Sequence, residues 1–200
     1  MPRAYRARTR PTRSENTRER IRAAVRELLA EGRFHESTVE EVADRAGVSR
    51  ATLYQHFGSR LELVDAICET FDENPALREL RELVELDDAD EALARTIGNA
   101  VRFWSSEDAI LGQLYGVAAI DPAARDLVDR QRADRRGELE RLVRNLARAK
   151  RLRVAERQAL TLLLVLTAYE TYRELREAGL SDRQATAFLR ESARESLLAA

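Results

Sequence analysis

The stretch 38–57 has the pattern of two short helices joined by a tight turn. Thr38 and Glu41 have the spacing of a capping box, and apolar residues then recur at helical spacing. Gly47 can adopt the positive φ that a tight turn requires, and Ser49 can cap a second helix. The stretch therefore predicts a helix-turn-helix, and this prediction limits the fold more than any other feature of the chain.

The second of these helices separates into an inward and an outward face. Leu53 and Phe57 lie one turn apart and can face a core. The remaining side chains are short or polar, and such groups can hydrogen-bond to phosphates and base edges. They are Arg50, Ala51, Thr52, Tyr54, Gln55 and His56. Simpler interpretations exist, since Tyr54 can cover the edge of the core and His56 can be an ordinary surface imidazole.

These residues resemble the DNA-binding segment of the TetR family of transcriptional regulators. The resemblance is carried by Thr38-Val39, Val42-Ala43, Ala46-Gly47-Val48-Ser49 and Thr52-Leu53-Tyr54-Gln55-His56-Phe57, followed by Ser59-Arg60. It covers residues 15–70, and the rest of the chain resembles the family only in being helical and of suitable length. In one departure, Arg60 stands where the family commonly has lysine, which keeps the charge but changes the geometry of a phosphate contact.

The resemblance implies roles for several side chains. Tyr54, His56 and Arg60 would contact phosphates and set the register on DNA, and Thr38 would contact a phosphate at the start of its helix. Arg60 could also be a solvated charge. The residues implied to face bases are Arg50, Ala51, Thr52 and Gln55, with Ser49 in the same DNA-binding set. Arginine can fork onto guanine and glutamine onto adenine, while the methyl groups of alanine and threonine can meet that of thymine.

The resemblance also implies a homodimer that binds a palindromic operator in double-stranded DNA and responds to a small-molecule effector. We expect a repressor that is released from DNA by a small, largely apolar effector. Two alternatives remain among DNA-binding proteins: an activator, and a regulator that needs no ligand. A helical lipid carrier or enzyme-like domain that carries an incidental helix-turn-helix is a more distant alternative.

Basic residues are concentrated ahead of the helix-turn-helix. Residues 1–13 contain five arginines and no acid, and residues 1–58 contain 12 arginines against 8 acids. We expect an Arg-rich arm over residues 1–14, with Arg10 and Arg13 contacting DNA from an adjacent groove. The alternative is a solvated charged face, because a chain with 33 arginines and one lysine has a general bias toward arginine.

The remaining pattern is helical throughout, which predicts an all-α fold of about nine to ten helices. A three-helix helix-turn-helix domain is expected over 15–58, with Asn16 and Glu19 capping its first helix and Gly32 ending it. A linking helix over 59–74 leads to a larger helical domain for ligand binding and dimerisation over 75–200. Apolar stripes in that domain predict helices over 75–86, 88–104, 107–120, 122–150 and 155–178, and a last one after Ser181.

Several helices of the larger domain carry aromatic residues with a few polar groups among them, as small-molecule sites do. The predicted ligand-binding residues are Asn99, Phe103, Trp104, Leu111, Leu114, Tyr115, Gln131, Thr167 and Tyr169. Aromatic residues at helical spacing can equally be plain core. The apolar stripe of the 122–150 helix is interrupted at Gln131, Arg135 and Glu138, which favours a solvated stretch, with a polar patch of a cavity as the alternative.

The segment 160–166 is apolar around the whole helix, which requires cover on every side. A stripe of small residues near the end of the chain allows close approach of helices. Together they predict a four-helix bundle between two copies of the chain. The predicted interface residues are Leu160, Leu164, Thr171, Ala185, Phe188, Leu189, Ser192 and Ser196.

Enzymatic and metal-binding patterns are missing from the sequence. The two histidines have no partner at ligand spacing, and there is no glycine-rich phosphate loop, so we expect no metal, no cofactor and no catalysis. The single Cys68 lies among apolar residues and is expected in the core, which favours a reducing compartment. The apolar run 159–169 is too short for a bilayer, so a soluble, cytoplasmic protein is expected.

Overall fold

The structure is a computed structural model that describes residues 12–83 and 86–199. The described residues form ten α-helices and one short 3₁₀ helix, and apart from an isolated bridge between Leu152 and Leu198 they form no β-structure. This confirms the all-α fold class. The helices are α1 (Arg13–Ala30), α2 (Val39–Ala46), α3 (Arg50–His56), α4 (Arg60–Thr70), α5 (Pro75–Leu83), α6 (Ala89–Ile120), α7 (Pro122–Arg148), α8 (Glu156–Leu166), α9 (Tyr169–Glu177) and α10 (Asp182–Leu197), with the 3₁₀ helix at Phe71–Glu73.

The chain divides between Ile67 and Cys68 into two compact units. Helix α4 crosses this division, so its last residues belong to the second unit. The apolar face of α1 forms the centre of the first unit, where its buried residues share a core with Phe34, Val42, Leu53 and Phe57. The inward orientation predicted for Leu53 and Phe57 is thus confirmed.

Helix α1 begins one turn earlier than predicted. Thr12 is its N-cap: Thr12 Oγ1 accepts a hydrogen bond from Glu15 N (3.2 Å), and Glu15 Oε2 accepts one from Thr12 N (2.6 Å). Asn16 already donates its backbone N–H to Thr12 O within the helix (3.0 Å), so the prediction that it caps α1 is wrong. A complete capping box one turn upstream takes precedence because it satisfies two terminal N–H groups at once.

Helix α6 is the centre of the second unit, where it packs against α5, α7, α9 and α10. The sequence predicts two helices over 88–104 and 107–120, but the structure has one helix of 32 residues. Two serines stand at the predicted junction, and both hydroxyl groups are satisfied without breaking the helix. Ser106 Oγ donates to Phe103 O (2.9 Å), and Ser105 Oγ donates to Asp182 Oδ2 (2.6 Å).

The helix predicted over 155–178 is interrupted, which is a second correction. Ala168 has extended backbone angles (φ −72°, ψ 151°) and separates α8 from α9. The carbonyl oxygen of Thr167 accepts hydrogen bonds from Trp104 Nε1 (3.1 Å) and Arg135 Nη1 (2.6 Å). These two side chains supply donors to the Thr167 carbonyl, which a continuing helix would otherwise have satisfied with a backbone N–H.

Arg135 also corrects the interpretation of the polar gap in α7. The favoured prediction is a solvated stretch, but Arg135 is half-buried and donates to backbone carbonyls at the end of α8. Other local predictions are confirmed: Asp121 caps α7 with Pro122 at its first position, and Ser181 and Gln184 form the capping box of α10. No helix of the described part of the chain has the length and apolar character needed to cross a bilayer.

The capping box of α1 gives a first testable prediction. Thr12→Ala removes the acceptor for Glu15 N and is expected to lower the free energy of unfolding by about 1 kcal/mol. Asn16→Ala is the matched control, because Asn16 lies inside the helix, and it should change stability little. Urea denaturation followed by circular dichroism measures both, and an equal loss in the two variants would contradict the assignment of Thr12 as the cap.

Candidate DNA-binding site

The turn between α2 and α3 has the geometry that the sequence predicts. Gly47 is left-handed (φ 61°, ψ 39°), and Ser49 Oγ accepts a hydrogen bond from Thr52 N (3.0 Å) at the start of α3. Thr38 Oγ1 accepts from Glu41 N (3.1 Å) and caps α2. The Glu41 carboxylate does not complete the predicted capping box; it accepts from Arg33 Nη2 instead (2.8 Å).

Two arginines of α1 hold the two ends of α3. Arg20 Nη2 donates to Gly47 O (2.7 Å), at the turn before α3. Arg18 Nη1 donates to His56 O (3.0 Å), at its last residue, and the Arg18 guanidinium lies 4.4 Å from the centre of the Phe57 ring. These contacts fix α3 on its supporting helix through backbone atoms. Sequence analysis did not identify either arginine, because neither interrupts the apolar stripe of α1.

Gly47 is required for a second reason besides its positive φ. A Cβ atom at this position would lie 2.4 Å from Arg20 Nη2, closer than any side chain tolerates without displacing the guanidinium. Any other residue would therefore strain the turn and also push away the arginine that holds it.

The outward face of α3 has the exposure expected of a DNA-contacting surface. Ala51 and Gln55 are exposed, the Tyr54 ring is 42% exposed, and Thr52 and His56 are half-buried. The hydroxyl groups of Thr52 and Ser49 lie 2.8 Å apart and share a hydrogen bond. Ser49 is thereby committed to capping and positioning α3.

Arg50 is held away from an extended conformation. Its Nη1 lies 2.5 Å from Glu40 Oε1, and its guanidinium is 5.5 Å from the centre of the Tyr54 ring. Both partners are exposed, so the ion pair is open to competition from phosphate or base. Glu40 is another residue that sequence analysis did not identify, and it restrains the side chain predicted to contact guanine.

Arg60 supports the N-terminus of α2. Its Nη1 donates to Ser37 O (2.6 Å), and the guanidinium lies 4.0 Å from the centre of the Phe34 ring. Burial lowers the pKa of the Arg60 guanidinium. The alternative of a solvated charge is therefore wrong, whereas the predicted phosphate contact stays a prediction. The planar guanidinium both stacks on the ring and forks toward Ser37, which a lysine ammonium cannot do.

Two further arginines of this unit form ion pairs with carboxylates of α2 and of the C-terminal end of α1. Arg45 Nη1 lies 2.6 Å from Glu31 Oε1, and Arg33 Nη2 lies 2.8 Å from Glu41 Oε1. The hydrogen bond from Arg45 lowers the pKa of the Glu31 carboxyl. Arg13, predicted in the arm, is the exposed first residue of α1, and Arg10 lies outside the described residues.

The predicted ligand-binding aromatics of the second unit are brought together in one cluster. Phe103 and Trp104 have ring centres 4.8 Å apart, Trp104 and Tyr169 5.6 Å, and Tyr115 and Tyr169 4.9 Å. Tyr169 OH donates to Asp108 Oδ1 (2.6 Å), and its pKa is raised by burial and by this hydrogen bond. Thr167 joins the cluster through the hydrogen bond from Trp104.

The other predicted ligand-binding residues are placed differently. Leu111 and Leu114 are buried, and Gln131 is half-buried. Asn99 is only 2% exposed, and neither its amide nitrogen nor its amide oxygen has a hydrogen-bond partner among the described residues. A groove of about 560 Å³ opens between α6 and α10, and none of the predicted residues lines it. Its lining is Val101, Arg102, Ser105, Ser106, Asp182, Arg183, Thr186, Ala187 and Arg190.

The predicted interface residues fall into two groups. Ala185 and Leu189 are buried inside the chain and Leu160 nearly so, which removes Ala185 and Leu189 from any surface between copies. Phe188 is 54% exposed, and the neighbouring predicted positions Leu164, Thr171, Ser192 and Ser196 are half-buried. Val165, which was not in the predicted set, is 58% exposed.

No group of three or more His, Cys, Asp or Glu side chains within residues 12–83 and 86–199 is arranged to hold a metal ion. Cys68 is buried, as its apolar neighbours predict.

Comparison with known proteins agrees with the geometry of the first unit. A family model described as "Bacterial regulatory proteins, tetR family" matches residues 21–67. The HTH-type transcriptional activator FasR of Mycolicibacterium smegmatis is 39% identical over 60 residues, 30% of this chain and 27% of FasR. The HTH-type transcriptional regulator CymR of Pseudomonas putida is 30% identical over 124 residues, 62% of this chain and 61% of CymR. The matches thus span less than two thirds of these relatives.

Solved structures extend the likeness over most of the chain. A transcriptional regulator from Saccharomonospora viridis, solved in complex with choline, superposes with a TM-score of 0.74 at 20% identity, covering 92% of this chain and 98% of that one. At this identity the match shows the fold, including the helical second unit. The chain is thus similar to bacterial regulatory proteins of the TetR family over residues 21–67, and its fold is that of a solved transcriptional regulator.

Proposed function

We propose that this chain is a ligand-responsive transcriptional repressor that binds a palindromic operator as a homodimer. The proposal rests on the way in which α3 is held by α1. Its two ends are fixed to α1 by Arg20 and Arg18 through backbone carbonyls, while Ala51, Tyr54 and Gln55 remain exposed on its outer face. A rigidly held helix with an exposed polar face is what reading a major groove requires.

Within this proposal the residues of α3 divide between bases and phosphates. Arg50 forks onto guanine and Gln55 onto adenine, while Ala51 and Thr52 meet a thymine methyl group. Tyr54, His56 and the α2 N-terminus at Thr38 contact phosphates. Arg60 contributes by holding Ser37, next to Thr38, and Arg10 and Arg13 by reaching an adjacent groove.

Exposed apolar side chains on α8 and α10 support dimerisation. Val165 and Phe188 are more than half exposed in the single chain, and exposed apolar patches of this kind are typical of interfaces. Leu164, Thr171, Ser192 and Ser196 complete the proposed surface. A two-fold pairing of these helices would give the second α3 that a palindromic operator needs.

An effector-binding role is proposed for the second unit. The Saccharomonospora viridis regulator, of the same fold, was solved with a small molecule, choline, which supports a ligand for this chain without giving its chemistry. The sign of regulation has a specific alternative, because FasR is named an activator. The matched FasR segment covers only 60 residues, and repression remains the proposal because occupying an operator is the simpler consequence of binding DNA.

Selection of bound sequences from random duplex DNA tests the proposal. The wild-type chain is expected to enrich an inverted repeat, with binding that weakens steeply as salt increases. Arg50→Ala and Gln55→Ala should each relax the preference at one base pair of the half-site, by ~1–3 kcal/mol. Tyr54→Phe removes only a phosphate contact and should weaken binding to all sequences alike. An unchanged consensus for Arg50→Ala would contradict its role in base recognition.

The ion pair between Arg50 and Glu40 gives a separate prediction. Glu40→Gln frees the Arg50 guanidinium and is expected to raise operator affinity by up to about fivefold, because an exposed ion pair contributes about 0.2–1 kcal/mol. Glu19→Gln removes the same charge from α1, where Glu19 faces Arg22, and is the matched control. Fluorescence anisotropy with labelled operator measures both, and equal gains would show a general charge effect and no restraint on Arg50.

The proposed dimer surface is tested by Phe188→Asp. The substitution places a charge on an exposed side chain, so the fold of the single chain should survive while the dimer dissociation constant rises about 30-fold or more, as expected for an aromatic residue at an interface centre. Ile120→Asp is the control, because Ile120 is an 85% exposed apolar residue at the end of α6, a helix that contributes nothing to the proposed surface. Sedimentation velocity distinguishes the outcomes, and a Phe188→Asp chain as dimeric as Ile120→Asp would contradict the assignment.

A further inference from the structure

Arg135 is a half-buried cation with no carboxylate partner among the described residues. All hydrogen bonds between Arg135 and described residues come from Nη1, which donates to Thr167 O (2.6 Å), Thr167 Oγ1 (3.1 Å) and Leu164 O (3.3 Å). Nε and Nη2 donate to no described residue. Both nitrogens keep contact with solvent, so a ligand carboxylate can replace water at this edge of the guanidinium.

The nearby carboxylates are already engaged with other arginines. Glu170 Oε1 accepts from Arg132 Nη2 (2.7 Å), and Glu138 pairs with Arg141. Burial lowers the pKa of the Arg135 guanidinium, although arginine keeps its charge at neutral pH. Its positive charge is therefore only indirectly balanced by Glu170.

Support of the helix end explains only part of this arrangement. A cation at the C-terminus of α8 is favourable, and Nη1 alone provides it. The unused nitrogens, Nε and Nη2, form the side of the guanidinium that binds a carboxylate through two parallel hydrogen bonds. The structural role therefore leaves the carboxylate-binding edge available.

The surroundings of Arg135 are aromatic. The Thr167 carbonyl that it binds is shared with Trp104 Nε1 (3.1 Å), and Trp104 lies 5.6 Å from Tyr169 between ring centres. Tyr115 lies 4.9 Å from Tyr169 on the same basis, and the Arg132 guanidinium lies 5.3 Å from the Tyr115 ring centre. A ligand whose charge sits on Arg135 would thus place its remaining atoms near apolar ring surfaces.

From this arrangement we propose that Arg135 binds the carboxylate of the effector through Nε and Nη2, and that the effector is a monocarboxylic acid with an apolar body. The inference rests on the proposed function, since it assigns the chemical class of the effector. The carboxylate lies at the break between α8 and α9, and its binding there draws on the same guanidinium that holds the Thr167 carbonyl.

The chain contains its own reporter, because Trp104 is its single tryptophan and shares the Thr167 carbonyl with Arg135. We expect octanoate or phenylacetate to change Trp104 emission saturably, and octanamide and phenylacetamide, which have the same bodies without the charge, to leave it unchanged. Arg135→Gln should weaken acid binding about tenfold to a hundredfold, the cost of losing hydrogen bonds to a charged group. Arg136→Gln, which removes an equal charge from an exposed position of α7 where Arg136 pairs with Glu140, should stay within about twofold of the wild type.

Circular dichroism first establishes that Arg135→Gln is folded. If it is not, the comparison of acids with amides on the wild-type chain decides alone. The proposal is overturned if neither acid alters the emission, if the amides bind as well as the acids, or if Arg136→Gln loses as much affinity as Arg135→Gln.

A separate measurement of operator affinity, with and without each compound, distinguishes a failure of the carboxylate site from a failure of the proposed regulatory function. Acids that bind at Arg135 but leave DNA affinity unchanged would support the carboxylate site and contradict effector control. Release of DNA by neutral compounds alone would support a ligand-responsive regulator and overturn the carboxylate site.

Discussion

The orientation of α3 depends on hydrogen bonds to two backbone carbonyl groups, those of Gly47 and His56. Both accept from arginines of α1, so this helix holds α3 at its beginning and its end through backbone atoms, without using any side chain on the outer face of α3. This separation matters because side chains on the outer face remain available for DNA. A helix of seven residues has too few internal hydrogen bonds to be stable alone, and its direction has to come from such tertiary contacts.

In the second unit, too, long side chains donate hydrogen bonds to a backbone carbonyl at a helix end. The Thr167 carbonyl accepts from Trp104 of α6 and Arg135 of α7, and these bonds join three helices at the point where α8 ends. In both units a backbone carbonyl at a helix end or a turn is satisfied by a long side chain from elsewhere in the unit. The consequence differs: in the first unit the arginines position α3, whereas in the second Nε and Nη2 of Arg135 donate to no described residue.

Local chemistry made much of the fold predictable from sequence. Gly47, Ser49, Asp121 and Ser181 act within a few residues of themselves, and each performs its predicted turn or cap. Predictions of helix ends were wrong where two local capping signals competed, or where residues far away in sequence determined the position of a helix break. Thr12 and Asn16 both have the spacing of a cap, and the break at Ala168 depends on Trp104 and Arg135, which lie far from it in sequence.

In the candidate site, too, features set by local sequence were predictable and features set by tertiary contacts were not. The exposed face of α3 follows from helical periodicity, so its residues were predictable. The restraint of Arg50 by Glu40 and the packing of Arg60 on Phe34 are tertiary contacts between surface positions, and no period in the sequence marks them. Buried Ala185 and Leu189 were placed at an interface because a stripe of small and apolar residues looks the same whether it packs inside the chain or against a second copy.

The energetics of base recognition also explain why a single α3 is insufficient. The two bidentate contacts that we propose for Arg50 and Gln55, at ~1–3 kcal/mol each, would give a half-site roughly 2–6 kcal/mol of discrimination. Specific DNA-binding proteins typically exceed their non-specific binding by about 4–10 kcal/mol; one such helix would reach only the lower part of this range, whereas two, at about 4–12 kcal/mol, would span it. In the proposed dimer, the exposed Val165 and Phe188 of the second unit would therefore bring together the two copies of α3 that such discrimination requires.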